Sequence, residues 1–125
     1  MAKDKDFHDY MNSKISKYEA LIAVDRMSEK CLGVVGFSRK YNRITWFGVF
    51  EQYRNRGIGK RLLSTALRQL DNEKAITVET YRDNYTEGLP ARTVYHKMGF
   101  VNVDNTIFDH LGNQRCKMEK APTNE

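Results

Sequence analysis

The sequence predicts a mixed α/β (α+β) domain, a mainly antiparallel central sheet with helices on its faces. Three observations lead there. β-Rich runs at residues 18–24, 31–38 and 43–50 are separated by short polar turns. The hydrophobic period then lengthens to that of a helix over residues 59–70. A further strand, a helix with proline at its start and two short strands follow. Strands joined by short loops form an antiparallel meander, and helices added after them give an α+β arrangement.

In order along the chain, Phe7, Tyr10, Met11 and Ile15 fall on one stripe of a short amphipathic helix within residues 1–17. Residues 18–24 read as a strand closed by the polar turn at 25–30, and residues 31–38 as its neighbour. The third strand, Arg43-Ile44-Thr45-Trp46-Phe47-Gly48-Val49-Phe50, follows the turn at 39–42. In residues 59–70, Leu62, Leu63, Ala66, Leu67 and Leu70 recur at helical spacing with Lys60, Arg61, Arg68 and Gln69 outside. Residues 75–81, rich in Ile, Val, Thr and Tyr, read as another strand. Pro90 suits a first helical turn because it lacks an N–H that the helix would not use there. Gly99 suits the end of that helix. Short strands near 101–104 and 115–119 close the domain, and residues 121–125 are expected to be a flexible tail. With no repeat or linker, residues 1–125 read as a single domain.

The 125 residues are 40% hydrophobic and 30% charged, with a mean hydropathy of −0.69, enough for one core under a well-solvated surface. The longest apolar runs fall far short of the roughly 18 residues of a membrane span. The N-terminus mixes charge signs and lacks an apolar segment, so it does not read as a secretory signal. The expected location is the cytoplasm. Cys31 and Cys116 stand far apart without metal-ligand spacing, which predicts neither a disulfide framework nor a metal site. A net charge of +5 favours an anionic partner: nucleic acid, an acidic surface or a phosphorylated small molecule.

The informative segment is Val49-Phe50-Glu51-Gln52-Tyr53-Arg54-Asn55-Arg56-Gly57-Ile58-Gly59-Lys60-Arg61. A strand feeds a glycine turn that opens into a helix. Glycine allows a ligand close to the backbone, and the free N–H groups of a first helical turn form an anion site. Arg54, Arg56, Lys60 and Arg61 add four cations. A P-loop would need glycine at Arg54 and Ser or Thr at Arg61, and a dinucleotide fingerprint would need glycine at Leu62.

Arg54-x-x-Gly57-x-Gly59 is similar to the R/Q-x-x-G-x-G/A motif of the GNAT superfamily of N-acetyltransferases. Ala91-Arg92-Thr93-Val94-Tyr95-His96-Lys97-Met98-Gly99-Phe100 resembles that family's second signature, A-x-x-x-Y-x-K-x-G-F. The resemblance covers residues 18–119 and implies the GNAT-like acyl-CoA N-acyltransferase fold. It implies acetyl-CoA as co-substrate, its pyrophosphate held by Arg54, Asn55, Arg56, Gly57, Ile58, Gly59 and Lys60. The main chains of Phe47, Gly48, Val49 and Phe50 would meet the pantetheine arm, with Val49 N–H the oxyanion donor. Tyr95 matches the tyrosine that protonates the leaving thiolate. A thiol near 8.5 and a phenol near 10 make full transfer uphill by about 2 kcal/mol, so Tyr95 would only hydrogen-bond the thiolate unless its pKa is lowered. Arg92 and Lys97 are further candidates for the cofactor's phosphates.

A lysine-like amine is mostly charged at pH 7, and deprotonating it costs about 4.6 kcal/mol. Glu79 is the candidate base, with Glu51 second; no histidine is assigned a role. The family has a strand and two helices before the strand at residue 18, where this chain has seventeen residues. That implies an open acceptor side, which favours a peptide or protein acceptor or a homodimer partner completing the site; the expected acceptor is an amine-bearing small molecule or peptide. The family's asparagine three residues before Ala91 is Gly88 here, with Asn84 a substitute. The alternatives are a CoA-binding domain without catalysis and a basic RNA-binding module, the latter on a faint echo of the RRM aromatic strand at residues 97–103.

Overall fold

Period-two burial organises six strands in a computed structural model that describes residues 19–82 and 88–123. They are β1 (Ala20–Val24), β2 (Cys31–Ser38), β3 (Arg43–Val49), β4 (Ile76–Tyr81), β5 (Phe100–Asp104) and β6 (Arg115–Lys120). Two helices, α1 (Ile58–Leu67) and α2 (Leu89–Lys97), follow β3 and β4 respectively. The expected N-terminal helix carrying Phe7, Tyr10, Met11 and Ile15 lies outside the described residues. The strands form one sheet in the order β1-β2-β3-β4-β6-β5. Each neighbouring pair is antiparallel except β3 and β4, which run parallel. The fold is the mixed, mainly antiparallel sheet that the sequence predicts.

One face of this sheet carries the core. Along β4 the side chains of Ile76, Val78 and Thr80 are buried while Glu79 and Tyr81 are exposed. On β6 Cys116 and Met118 are fully buried, and they join Leu63, Ala66, Tyr95 and Phe100 in a single cluster. Leucines from α1 and the aromatic ring from α2 therefore pack on the same face. Each large side chain buried in this way contributes about 1.5–3 kcal/mol.

The first helix ends three residues earlier than its leucine spacing suggests. Beyond Leu67, Gln69 N–H bonds the carbonyl of Ala66 and Leu70 N–H that of Leu67, a tighter i→i+3 pattern that closes the last turn. Leu70 still reaches the core. The second helix stops as expected at Gly99, whose φ of +99° favours a residue without a Cβ. At the start of the C-terminal tail, Thr123 N–H bonds the carbonyl of Asn72 at 2.8 Å.

A hub at Asn42 closes one end of the β3–β4 pair. Its φ is +53°, a conformation that asparagine tolerates better than most residues. Its side-chain Nδ2 donates to the carbonyls of Asp71 at 2.9 Å and Ala75 at 3.0 Å. Its Oδ1 accepts the N–H of Asp71 at 2.8 Å, and its own carbonyl accepts that of Thr77.

Candidate functional site

From that closed end the two parallel strands diverge. Pairing between β3 and β4 covers Arg43↔Thr77 and Ile44↔Val78, and then stops. Phe47, Gly48 and Val49 continue alongside β2 but leave β4 behind. Phe50 N–H donates to Leu32 in the direction of β2 at 3.0 Å. Neighbouring residues of a strand direct their backbone groups to opposite sides, so the N–H and C=O of Val49 point into the gap.

A 3₁₀ turn at Glu51–Tyr53 then reverses the chain, fixed by Tyr53 N–H on Phe50 O and Arg54 N–H on Glu51 O. Asn55 and Gly57 follow with φ of +66° and +77°. Gly57 in the left-handed region followed by Ile58 in the helical one turns successive N–H groups inward, a nest that attracts anions. Helix α1 starts directly after Gly57 with no side-chain cap. Its first intrahelical bond is Arg61 N–H to Gly57 O, so the N–H groups of Ile58, Gly59 and Lys60 lie ahead of the helical ladder, where the dipole favours negative charge. Gly59 also lets α1 approach the sheet: a Cβ there would stand 3.2 Å from Phe47 Cζ and 3.4 Å from Val49 Cγ2.

Strand, turn and helix form one wall of a cleft of about 520 Å³, and α2 forms the other. Phe47, Gly48, Val49, Arg54, Asn55, Gly57, Ile58, Gly59, Lys60 and Lys97, all named from the sequence, line it together. Arg54, Lys60 and Lys97 make it cationic.

Other residues singled out from the sequence lie elsewhere. Phe50 is half exposed and directs its N–H to Leu32. Arg56 lays its guanidinium over the Tyr53 ring, 5.7 Å from the centroid. Glu79 is exposed on the face opposite the core, in register with Lys117. Glu51 is exposed in the 3₁₀ turn. Asn84 lies outside the described residues.

Arg92 corrects its expectation as a phosphate contact. It is 3% exposed. Its Nη1 donates to Tyr81 O at 3.0 Å and Cys116 Sγ at 2.9 Å, and its Nη2 to Asn102 Oδ1 at 3.2 Å. The physical reason is helical spacing: Arg92 and Tyr95 stand three residues apart on the face of α2 that enters the core.

Tyr95 supports the cleft from beneath. Its ring packs between Phe47 and Phe100, with centroids 5.5 and 5.6 Å away. Burial pushes its phenol above the usual range, while Arg115 pulls it slightly back. The pKa therefore moves opposite to what proton donation requires. Gly88 owes its identity to a close approach: a Cβ there would stand 2.5 Å from Tyr81 Cβ, so an asparagine would collide.

Sequence reasoning missed most of the second wall. Leu89, Pro90, Ala91, Thr93 and Val94 on that wall, and Tyr53 on the 3₁₀ turn, also line the cleft. The signal was present in Ala91 and Val94, three residues apart and one position away from the buried Arg92–Tyr95 pair. A smaller groove of about 360 Å³ lies between β1 and α1 and shares Ile58 with the cleft.

Among the described residues no group of three or more His, Cys, Asp or Glu side chains is placed to hold a metal ion. No helix among them is long and apolar enough to cross a membrane.

The sequence model of the acetyltransferase (GNAT) domain matches residues 2–121. No curated protein sequence matches the chain. Among solved structures, the NatC complex bound to Gag peptide and CoA is similar with a TM-score of 0.70 and 22% identity, over 91% of this chain and 79% of that one. An acetyltransferase of the GNAT family from Bacillus cereus gives 0.68 and 15%, over 93% and 79%. A protein assigned as a streptothricin acetyltransferase from Bacillus anthracis, in complex with acetyl coenzyme A, gives 0.65 and 24%, over 83% of this chain and 62% of that one. At these identities the structural likeness is one of fold.

Proposed function

The chain belongs to the GNAT acetyltransferase family, and from that premise we propose that it transfers the acetyl group of acetyl-CoA to a primary amine by direct attack in a ternary complex. The observation that carries this reading is one continuous cleft. It runs from the gap-facing N–H of Val49 to the uncapped start of α1, with Arg54, Lys60 and Lys97 along it. The first end suits a thioester carbonyl and the second a pyrophosphate. Solved structures of similar fold that hold CoA or acetyl-CoA support acetyl-CoA as the co-substrate.

In the proposed reaction the neutral amine forms a C–N bond to the thioester carbon, and the carbonyl electron pair moves to oxygen. Val49 N–H stabilises that oxyanion, a role that is typically worth about 3 kcal/mol for one donor. Collapse breaks the C–S bond and releases the CoA thiolate. The amine gives up one proton, which passes through the base to solvent, and the thiolate takes one proton from solvent to end as the free thiol. Tyr95, held neutral by burial, hydrogen-bonds the thiolate and keeps its own proton. Glu79 follows Val78, the last β4 residue paired with β3, and is exposed on the face opposite the core; there it accepts the amine proton through water. The acceptor is an amine-bearing small molecule or peptide, approached from that face, and the reaction takes place in the cytoplasm.

The test is incubation with acetyl-CoA and a mixed pool of amines and short peptides, with products read by mass spectrometry. The proposal expects acetylated products that diminish in Tyr95→Phe. Equal background rates in the two proteins would instead favour a CoA-binding domain without catalysis.

A further inference from the structure

Arg54 is the first residue of the glycine motif and lines the cleft among groups suited to phosphate. Its side chain reaches back to the strand end: Nε donates to the carbonyl of Val49, which also lines the cleft, at 3.0 Å. We propose that Arg54 is a positioning residue for the oxyanion donor, its side chain occupying Val49 C=O so that Val49 N–H is left to the thioester. This rests on the reading of the cleft as an acetyl-CoA site.

Val49 directs both backbone groups into the gap where β4 has departed. An unoccupied carbonyl beside the donor would present a negative dipole to a carbonyl oxygen that gains negative charge during attack. A preorganised site needs its donors aimed and its acceptors already satisfied. The 3₁₀ turn at Glu51–Tyr53 returns the chain over five residues, and that brings the Arg54 side chain back to the strand end. Arg54 N–H is meanwhile held by Glu51 O. Asn55 and the nest residue Gly57, both left-handed, follow at once. A grip on pyrophosphate by this turn therefore also fixes the residue that orients Val49.

The donor atom sharpens the proposal. Nε of arginine and Nε2 of glutamine are the same number of bonds from Cα, whereas Nζ of lysine is one bond farther. A role on the Val49 carbonyl predicts that glutamine substitutes and lysine does not. A role in phosphate charge predicts the reverse.

The experiment binds acetyl-CoA labelled with ¹³C at the thioester carbonyl to wild type, Arg54→Gln, Arg54→Lys and Arg54→Met. Affinity is read by calorimetry and the carbonyl stretch by isotope-edited infrared spectroscopy, with thermal melts confirming that each variant folds. The expected result is a lowered stretching frequency in wild type and Arg54→Gln. In Arg54→Lys and Arg54→Met the frequency returns toward the free value, with affinity kept within about threefold. With an acceptor in hand, kcat falls about tenfold in the last two while KM for acetyl-CoA holds. An Arg54→Met protein that binds at least about tenfold more weakly with the stretch unchanged, and that Lys restores, overturns the proposal and makes Arg54 a phosphate ligand. A wild type that binds acetyl-CoA without lowering the stretch overturns it also. Failure of wild type to bind acetyl-CoA at all is a different result, and removes the proposed function itself.

Discussion

The two ends of the β3–β4 pair treat their backbone in opposite ways. At one end Asn42 ties both strands to the loop after α1 through three side-chain hydrogen bonds, and the strands pair directly. At the other end the strands part, and the groups on the gap side of Val49 and at the start of α1 turn toward the cleft. The closed end supplies rigidity. The open end retains hydrogen-bonding capacity that a closed ladder would use up. Residues at the two ends should therefore fail differently, one set in stability and the other in binding.

The largest effect is expected at the closed end. Asn42→Ala removes three hydrogen bonds and places alanine at φ +53°, for a loss of about 3 kcal/mol in urea unfolding. Acetyl-CoA affinity of the folded fraction should not change. A parallel loss of affinity would break the contrast.

Gly57→Ala reverses the pattern. Forcing a Cβ at φ +77° should cost about 1 kcal/mol of stability. Distortion of the nest should weaken acetyl-CoA binding about tenfold by calorimetry, near 1.4 kcal/mol.

Tyr95→Phe sharpens the contrast within the open end, because it leaves the cleft's backbone in place. A loss of about tenfold in kcat at constant KM is expected. Tyr95's folded-state pKa is raised by burial, so the folded protein holds this proton longer than the unfolded chain. Its contribution is complete below the unfolded value of about 10 and is lost as pH rises above it. Thermal melts on the alkaline side should consequently fall less steeply for Tyr95→Phe. The pH profile of kcat should keep its shape in the variant, since the phenol does not ionise at working pH.

The smallest effect belongs to the exposed β5–β6 hairpin. Hydrogen bonds from the hydroxyl and N–H of Thr106 hold the Asp104 carboxyl below its ordinary range. A lowered pKa gives stability that is present above the unfolded value of about 4 and lost as pH falls below it. Asp104→Asn should flatten the acid limb of the thermal midpoint slightly and leave acetyl-CoA binding unaltered.

Much of the open end was legible because its chemistry is local in sequence. Gly57, Ile58, Gly59 and Lys60 are adjacent, and their turn follows directly from the strand that ends at Val49. The closed end was illegible for the opposite reason: Asn42 bonds partners 29 and 33 residues away, and nothing beside it in the chain marks those partners. Arg92 shows a third case. Its charge suggested phosphate, yet its spacing from Tyr95 already placed both on one helical face. What the spacing lacked was the identity of that face, which is set by groups on β4, β5 and β6. Helix α1 ran shorter than its leucines because Leu70 reaches the core from a tightened turn.

The most direct test is an amide NMR titration of the ¹⁵N-labelled protein with acetyl-CoA. The account predicts saturable shifts concentrated at Val49, Asn55, Gly57, Ile58, Gly59 and Lys60, with the amides of Asn42, Asp71 and Thr77 unmoved. Saturable shifts centred on the Asn42 end, or no saturable shifts along the cleft, would contradict it.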